Sequence, residues 1–340
     1  MLSHNNSHNK IRNMLTILIW VVVFALLLSG CGPGKPKVYR VGILGGGSFT
    51  TITDGFKAGM AELGYVEDQN IVYDWPDTDT TDMAEEQRIA KKFVDDKVDL
   101  IFTSGSTPAA LAAKAATQGT DIPVVFTYAA TEGSNLVKSV REPGGNITGV
   151  RYPGPEQISK RLEILLELAP SAKRVWIGYD KNSPNTALTL ETLRPLAMSK
   201  GITLVEVPAA TMEEIEADLA ARAAAADLGL DAIILMPDGF NHSPDGFAML
   251  SKFAAEHKVP LGGSFLYTVE AGAVFGNAND LVKVGELAAP LADKVFKGTP
   301  AGTIPVVTPE QDLYINYKVA QGLGLTVPEG LLSQAAEIIR

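Results

Sequence analysis

Cysteine is nearly absent: the 340-residue chain has one, Cys31, so an internal disulfide is excluded. Histidine is scarce as well, four in all. His4 and His8 stand in the polar N-terminus, and His242 and His257 have no cysteine or paired histidine near them, which argues against a zinc site. There is no surplus of basic residues: 29 Lys and Arg face 39 Asp and Glu, the net charge is −10, and no basic stripe runs through the chain. A nucleic-acid partner is therefore not expected. Catalytic signatures are missing too. Gly45-Gly-Gly-Ser48 lacks the dinucleotide spacing and the lysine of a P-loop, and there is no Gly-x-Ser-x-Gly elbow. With no activated base or thiol, a nucleophilic enzyme has little to work with, and no cofactor or metal is expected.

One long apolar run is present. Leu15 to Leu28 is apolar apart from Thr16, and before it lie Lys10 and Arg12 with no acid. A basic segment, a short apolar stretch and small residues describe a secretory signal over residues 1–30. The run is shorter than the roughly 20 residues that span a bilayer comfortably. Leu28-Ser-Gly-Cys31 resembles the lipobox of bacterial lipoproteins. The resemblance implies lipid attachment at Cys31, with residues 31–37 as a tether and the protein anchored on the outer side of the cell membrane. Several acyl chains hold durably where one holds marginally.

The rest of the chain alternates. Strands are expected at 38–44, 70–75, 100–102, 123–128 and 146–150, with helices at 51–63, 82–95, from 109, and at 135–140. The pattern then restarts: helices at 155–169, 185–200, 212–226 and 245–256 alternate with strands at 174–179, 202–207, 231–236 and 259–263. Such alternation implies parallel βαβ units with helices on both faces. The fold class is therefore α/β, with two doubly wound parallel-sheet lobes. Segments 271–275, 281–296 and 304–307 are read as passing between the lobes, 313–316 as a late strand and 328–340 as a closing helix. This gives a three-segment hinge near Val150, Ser264–Ala273 and Thr303–Thr308. The expected lobes are 38–150 plus about 270–302, and 151–269 plus about 303–340.

In open α/β sheets ligands bind beyond the carboxyl ends of the strands. The loops there are small and polar: Gly45–Thr50, Thr103–Thr107 and Thr127–Ser134 in one lobe, Tyr179–Asn185, Pro237–Pro244 and Ser264–Val269 in the other. Two such rims suggest a cleft that closes on a small molecule. Ser48, Ser106, Thr107, Tyr128, Thr131, Tyr179, Asp238, Phe240 and Ser264 are the candidate ligand-binding residues. Each has a structural alternative. Ser48, Ser106 and Thr107 are also suited to cap helices. Tyr128 and Tyr179 are equally core aromatics, Asp238 is equally a turn stabiliser beside its reading as an amine partner, and Phe240 either covers a ligand or fills the hinge.

Longer stretches resemble one family. Gly55-Phe-Lys-Ala-Gly-Met-Ala-Glu-Leu-Gly-Tyr65, Ser106-Thr-Pro-Ala-Ala110, Ile122-Pro-Val-Val-Phe126, Leu136-Val-Lys-Ser139 and Pro143-Gly-Gly-Asn-Ile-Thr-Gly-Val150 are similar to ABC-transporter substrate-binding lipoproteins of the tryptophan/tyrosine type, within the type I periplasmic-binding-protein fold. The resemblance implies a monomer that hands a small molecule, often an amino acid, to ABC permease subunits and their ATPase. It implies a carboxylate grip at Ser106 and Thr107, an amine partner at Asp238 and a hydroxyl contact at Ser264. The chain departs from the family at Thr131-Glu132-Gly133, where Thr-Asp-Pro is common, in the longer loop Asp238–Pro244, and at Asn279-Asp280, where a tyrosine pair is frequent. An extracytoplasmic solute-binding protein is the reading; a ligand sensor feeding a membrane receptor and a cell-surface enzyme are the alternatives.

Overall fold

The computed structural model describes residues 37–45, 47–76 and 83–340. Cys31 and the expected signal and tether up to residue 36 lie outside the described residues, as do the side chains of Ser48, Pro184 and Asn185. Among the described residues no helix is long and apolar enough to cross a membrane.

The first lobe is a five-stranded parallel sheet in the order β2-β1-β3-β4-β5. Its strands are β1 (Tyr39–Gly45), β2 (Ile71–Asp74), β3 (Leu100–Ser104), β4 (Val124–Ala129) and β5 (Ile147–Arg151). The central strands β3 and β4 are buried along their whole length, as expected of strands covered on both faces. Helices α1 (Thr50–Glu62), α2 (Met83–Asp95) and α3 (Thr107–Ala116) supply much of that cover. One core cluster, around Phe56, Phe102 and Val125, fills one face, and another, around Phe93, Phe126 and Ala113, fills the other.

The second lobe is a seven-stranded sheet in the order β12-β11-β10-β9-β8-β6-β7. It opens with α4 (Gly154–Leu168), then β6 (Arg174–Asp180), α5 (Pro184–Ser199), β7 (Thr203–Ala209), α6 (Met212–Ala223) and β8 (Ala232–Ile234). Two short helices absent from the sequence reading follow strand ends: α7 (Gly239–His242), before α8 (Pro244–His257), and α9 (Leu266–Glu270), after β9 (Leu261–Gly263). β10 (Phe275–Ala278) completes the parallel part.

The chain then returns to the first lobe. Helix α10 (Leu281–Phe296) buries Val284, Ala288, Leu291 and Ala292 in the same cluster as Ile52 and Phe56 of α1. Small residues set the closeness of this pair. A Cβ on Gly285 would stand 2.0 Å from the Ile52 carbonyl oxygen, and one on Gly55 would stand 2.1 Å from that of Val282. The last segments are β11 (Asp312–Asn316), antiparallel to β10, α11 (Tyr317–Gly322), α12 (Glu329–Gln334) and β12 (Glu337–Ile339).

The two doubly wound lobes and the three-segment hinge stand as expected. The middle crossing is displaced. β10 pairs with β9 and β11 in the second sheet, so the chain leaves that lobe at Asn279–Asp280 and not at Ser264–Ala273. The first crossing is Tyr152–Pro153, and the third runs from Val307, bridged to Val150, to β11. Residues 135–140 form no helix, because Lys138 and Ser139 instead donate their N–H groups to Pro143 and Glu142. The tail is a helix only to Gln334; the β-branched pair Ile338-Ile339 then joins the sheet beside β11.

Candidate functional site

On the first lobe, β1 ends at Gly45 and a single turn, Gly47–Phe49, leads into α1. Ser104, at the end of β3, ties this turn down: its hydroxyl donates to the Phe49 carbonyl (3.0 Å) and accepts from Thr53 (2.9 Å). Gly105 has φ +73° and lies under the Phe49 ring, 2.1 Å from where its Cβ would be, so only glycine fits. Ser106 caps α3 by accepting from the Ala109 N–H, with Pro108 in the first turn. Thr107 accepts from the Ala130 N–H at 2.9 Å, which fastens the loop after β4 to the start of α3. Thr131 donates to Glu132. These hydroxyls therefore serve the turn itself, and Ser106 and Thr107 stay half-buried at its rim.

Tyr128 is set apart by its backbone. Its φ is +51°, rare for a bulky side chain, at the point where the β4–β5 register shifts. The ring lies edge-to-face with Tyr152 of the first crossing (4.9 Å) and 6.1 Å from Phe49, and its hydroxyl accepts from Gln157 of α4. It thus meets the other lobe.

On the second lobe, Asp238 caps α7. One carboxylate oxygen accepts from the backbone and side-chain N–H groups of Asn241, at 3.0 and 2.8 Å, and the other from the Asp180 N–H at 3.1 Å. Burial raises its pKa and these bonds counteract the rise. Of its two readings in the sequence, turn stabiliser and amine partner, the contacts realise the first. Phe240 packs half-buried on the core cluster of Phe247 and Leu219. Tyr179 stands outside the rim: its ring lies in the core with Leu190 and Leu193, and its hydroxyl donates to Glu206 at 2.8 Å, which also holds Arg194. Ser264, fully buried, meets His242 Nε2 at 2.8 Å.

His242 was set aside in the sequence as a lone histidine. Its Nδ1 lies 3.1 Å from the Asp238 carbonyl oxygen, an acceptor, so the proton is assigned to Nδ1 and Nε2 accepts from Ser264. Burial, and then the charge of Arg161, push its pKa down to about 4, so the ring is neutral at neutral pH. Phe265 stands edge-to-face against it (5.7 Å) and stacks with Tyr267.

Between the rims lies the face of α4 that sequence reading passed over. Gln157 Nε2 donates to Asn279 at 2.5 Å as well as to Tyr128, and Asn279 in turn donates to the carbonyls of Pro309 and Glu310. Gln157 therefore touches the first lobe and the middle crossing, and Asn279 carries the chain of bonds on to the third. A turn later, Arg161 is only 2% exposed and reaches the carboxyl ends of two strands, donating to the carbonyls of Asn277 (3.0 Å) and Leu235 (3.4 Å). Tyr128, Tyr152, Tyr267 and His242 all feel its charge, which puts it at the floor between the two rims. A hollow of about 910 Å³ near Lys37, Lys114 and Phe296 is at the opposite, amino end of the first sheet and contains none of these residues.

The family model described as ABC transporter substrate binding protein matches residues 37–339. A tyrosine-binding protein of Clostridioides difficile is 30% identical over 335 residues, 93% of each chain. Among solved structures, an ABC domain in complex with L-Trp from Streptococcus pneumonia superposes with a TM-score of 0.73 at 27% identity, over 89% of this chain and 100% of the other. A ligand-free, open substrate-binding protein with adhesive properties from Clostridium difficile gives 0.71 at 27%, over 89% and 99%.

Proposed function

Because the chain belongs to the ABC transporter substrate binding proteins, we propose that it holds an aromatic amino acid or a related aromatic acid between its lobes and delivers it to ABC permease subunits. The single observation that supports this ligand class is a pair of aromatic groups, one on each lobe: Phe49, Tyr128 and Tyr152 pack together on the first, and Phe265 stacks with Tyr267 on the second. Such rings offer large apolar area with a polar tip, which suits a flat ligand that carries its own polar groups. The relatives' tyrosine and tryptophan agree with that chemistry.

The ligand acts by population shift. It touches both lobes only when they are closed, so its binding free energy goes to the closed state, and the permease reads the closed shape. In this account Ser106 and Thr107 contribute their remaining O–H donors. Ser264 acts through His242, and Asp238 and Phe240 hold the loop that presents His242. Residues 1–30 are removed as a signal, Cys31 carries the lipid, and the monomer works on the outer face of the membrane.

A thermal-shift panel of the common amino acids and simple aromatic acids tests this reading. An aromatic member should raise the melting temperature most, since a ligand that binds only the native state stabilises it. A response to sugars or cations alone would contradict it. Labelled palmitate should enter the wild-type protein in a bacterial host and not the Cys31→Ala variant; equal labelling would remove the anchor.

A further inference from the structure

Arg161 is a buried cation without a counter-ion. Arg151, Arg174, Arg194 and Arg222 each hold at least one carboxylate, but no carboxylate among the described residues lies within ion-pair distance of Arg161. Its five N–H groups meet two backbone carbonyls, which leaves three free. The groups that feel its charge are all neutral at neutral pH: Tyr128, Tyr152 and Tyr267, held protonated by burial, and His242, held neutral. Burial in turn presses on the guanidinium and lowers its pKa. An unpaired buried charge is costly, and folding alone does not call for one here, since an apolar side chain of similar volume would fill the site more cheaply. The position adds a second reason. Arg161 lies one helical turn from Gln157, which reaches across to Tyr128 of the other lobe, and it stands at the carboxyl ends of β8 and β10, where α/β sheets present their ligands.

We propose that Arg161 receives the carboxylate of the ligand, and that the ligand's anion completes the charge of the closed protein. A planar guanidinium with three free donors suits a two-pronged bond to a carboxylate, and the neighbouring tyrosines add O–H donors and apolar walls. Among the described residues no acid pairs with Arg161, and the oxygens of Asp238 are occupied by Asn241 and Asp180, so the floor attracts the carboxylate of an amino acid rather than its ammonium group. An aromatic acid that lacks an amine should therefore also be accepted. This rests on the reading above that an aromatic ligand sits between the lobes.

Calorimetry on the purified protein separates the two. The probes are tyrosine and tyrosinamide, 4-hydroxybenzoate and 4-hydroxybenzamide, and tyramine. At least one acid should bind, its amide at least 30-fold more weakly, and tyramine not at all. In Arg161→Met the acid's affinity should fall at least 50-fold while the melting temperature of the ligand-free protein is unchanged or raised, and Arg161→Lys should recover part of the loss. A role confined to clamping the Asn277 and Leu235 carbonyls would instead lower the ligand-free melting temperature and leave affinity intact. Equal binding of acid and amide, full affinity in Arg161→Met, or tyramine binding where the acids do not would overturn the assignment and leave the solute-binding reading standing. Failure of every probe to bind the wild type would overturn both. Should Arg161→Met not fold, the acid–amide comparison on the wild type decides alone.

Discussion

Arg151 Nη1 donates to Glu132 at 2.7 Å, and the pair joins the end of β5, beside the first hinge crossing, to the loop after β4. The same guanidinium also bonds Glu156, at the start of α4, and donates to Thr308 of the third crossing at 2.8 Å. Glu132 thus has a clear task in the hinge. Arg151 is nearly buried, but Glu132 and Glu156 are 37% and 50% exposed and can regain water, so the cost of losing the arginine is modest. Arg151→Met should lose about 1–2 kcal/mol of stability. Hydrogen exchange should speed up at residues 151–153 and 308–311, and unchanged exchange there would show that the clasp does not restrain the hinge.

The α1–α10 contact leaves no room for a methyl group. Gly285→Ala places a Cβ 2.0 Å from the Ile52 carbonyl oxygen, and neither helix backbone yields easily. The variant should lose about 2–3 kcal/mol in urea unfolding, near the upper end for overpacking. Gly64, which has nothing within 4 Å, is no control because its φ is +91°; Gly330, open and with ordinary φ, should accept alanine without loss. Equal stability of the Gly285 and Gly330 variants would contradict the packing.

Asp238→Ala should act through the loop. It frees the N–H groups of Asn241 and Asp180 and removes the cap of α7, for a loss of about 2–3 kcal/mol. Binding should weaken by a similar factor for an aromatic acid with an amine and for one without. Loss confined to the amine-bearing ligand would restore Asp238 as an amine contact.

Two groups titrate with opposite signs. Glu86 is 3% exposed, and burial, then Glu85, raise its pKa to about 7. Its contribution is complete below the unfolded value near 4.5 and is lost as pH rises through about 7, so Glu86→Gln should stabilise the protein at pH 8 by at most about 3 kcal/mol and little at pH 4. His242, depressed to about 4, contributes fully above 6.5, and that contribution is lost as pH falls from 6.5 to about 4. His242→Asn should flatten the stability profile between those values. Denaturant titrations at pH 4, 5, 6, 7 and 8 read both slopes, and profiles parallel to wild type would refute the assignments.

The sheets were legible because each strand–helix unit carries its own apolar period. The lobe to which β10 belongs was not: Phe275–Ala278 is four buried residues, and its partners β9 and β11 are fixed only in three dimensions. The rim hydroxyls were found by position and chemistry, but whether Thr107 meets a ligand or the Ala130 N–H depends on a loop 23 residues away. Gln157 and Arg161 were missed because they interrupt a stripe otherwise made of Ile158, Leu162 and Leu165. Periodicity averages such residues away, although two polar side chains four apart on the buried face of one helix were the signal to follow. His242 is held neutral by burial first and by Arg161 second, and sequence distance hides both.

Small-angle scattering tests the central claim most directly. Three crossings join the lobes, and if the ligand bridges them as proposed, saturation with the tightest-binding aromatic acid should reduce the radius of gyration and the maximum dimension. Calorimetric binding of that acid with an unchanged scattering profile would contradict the account.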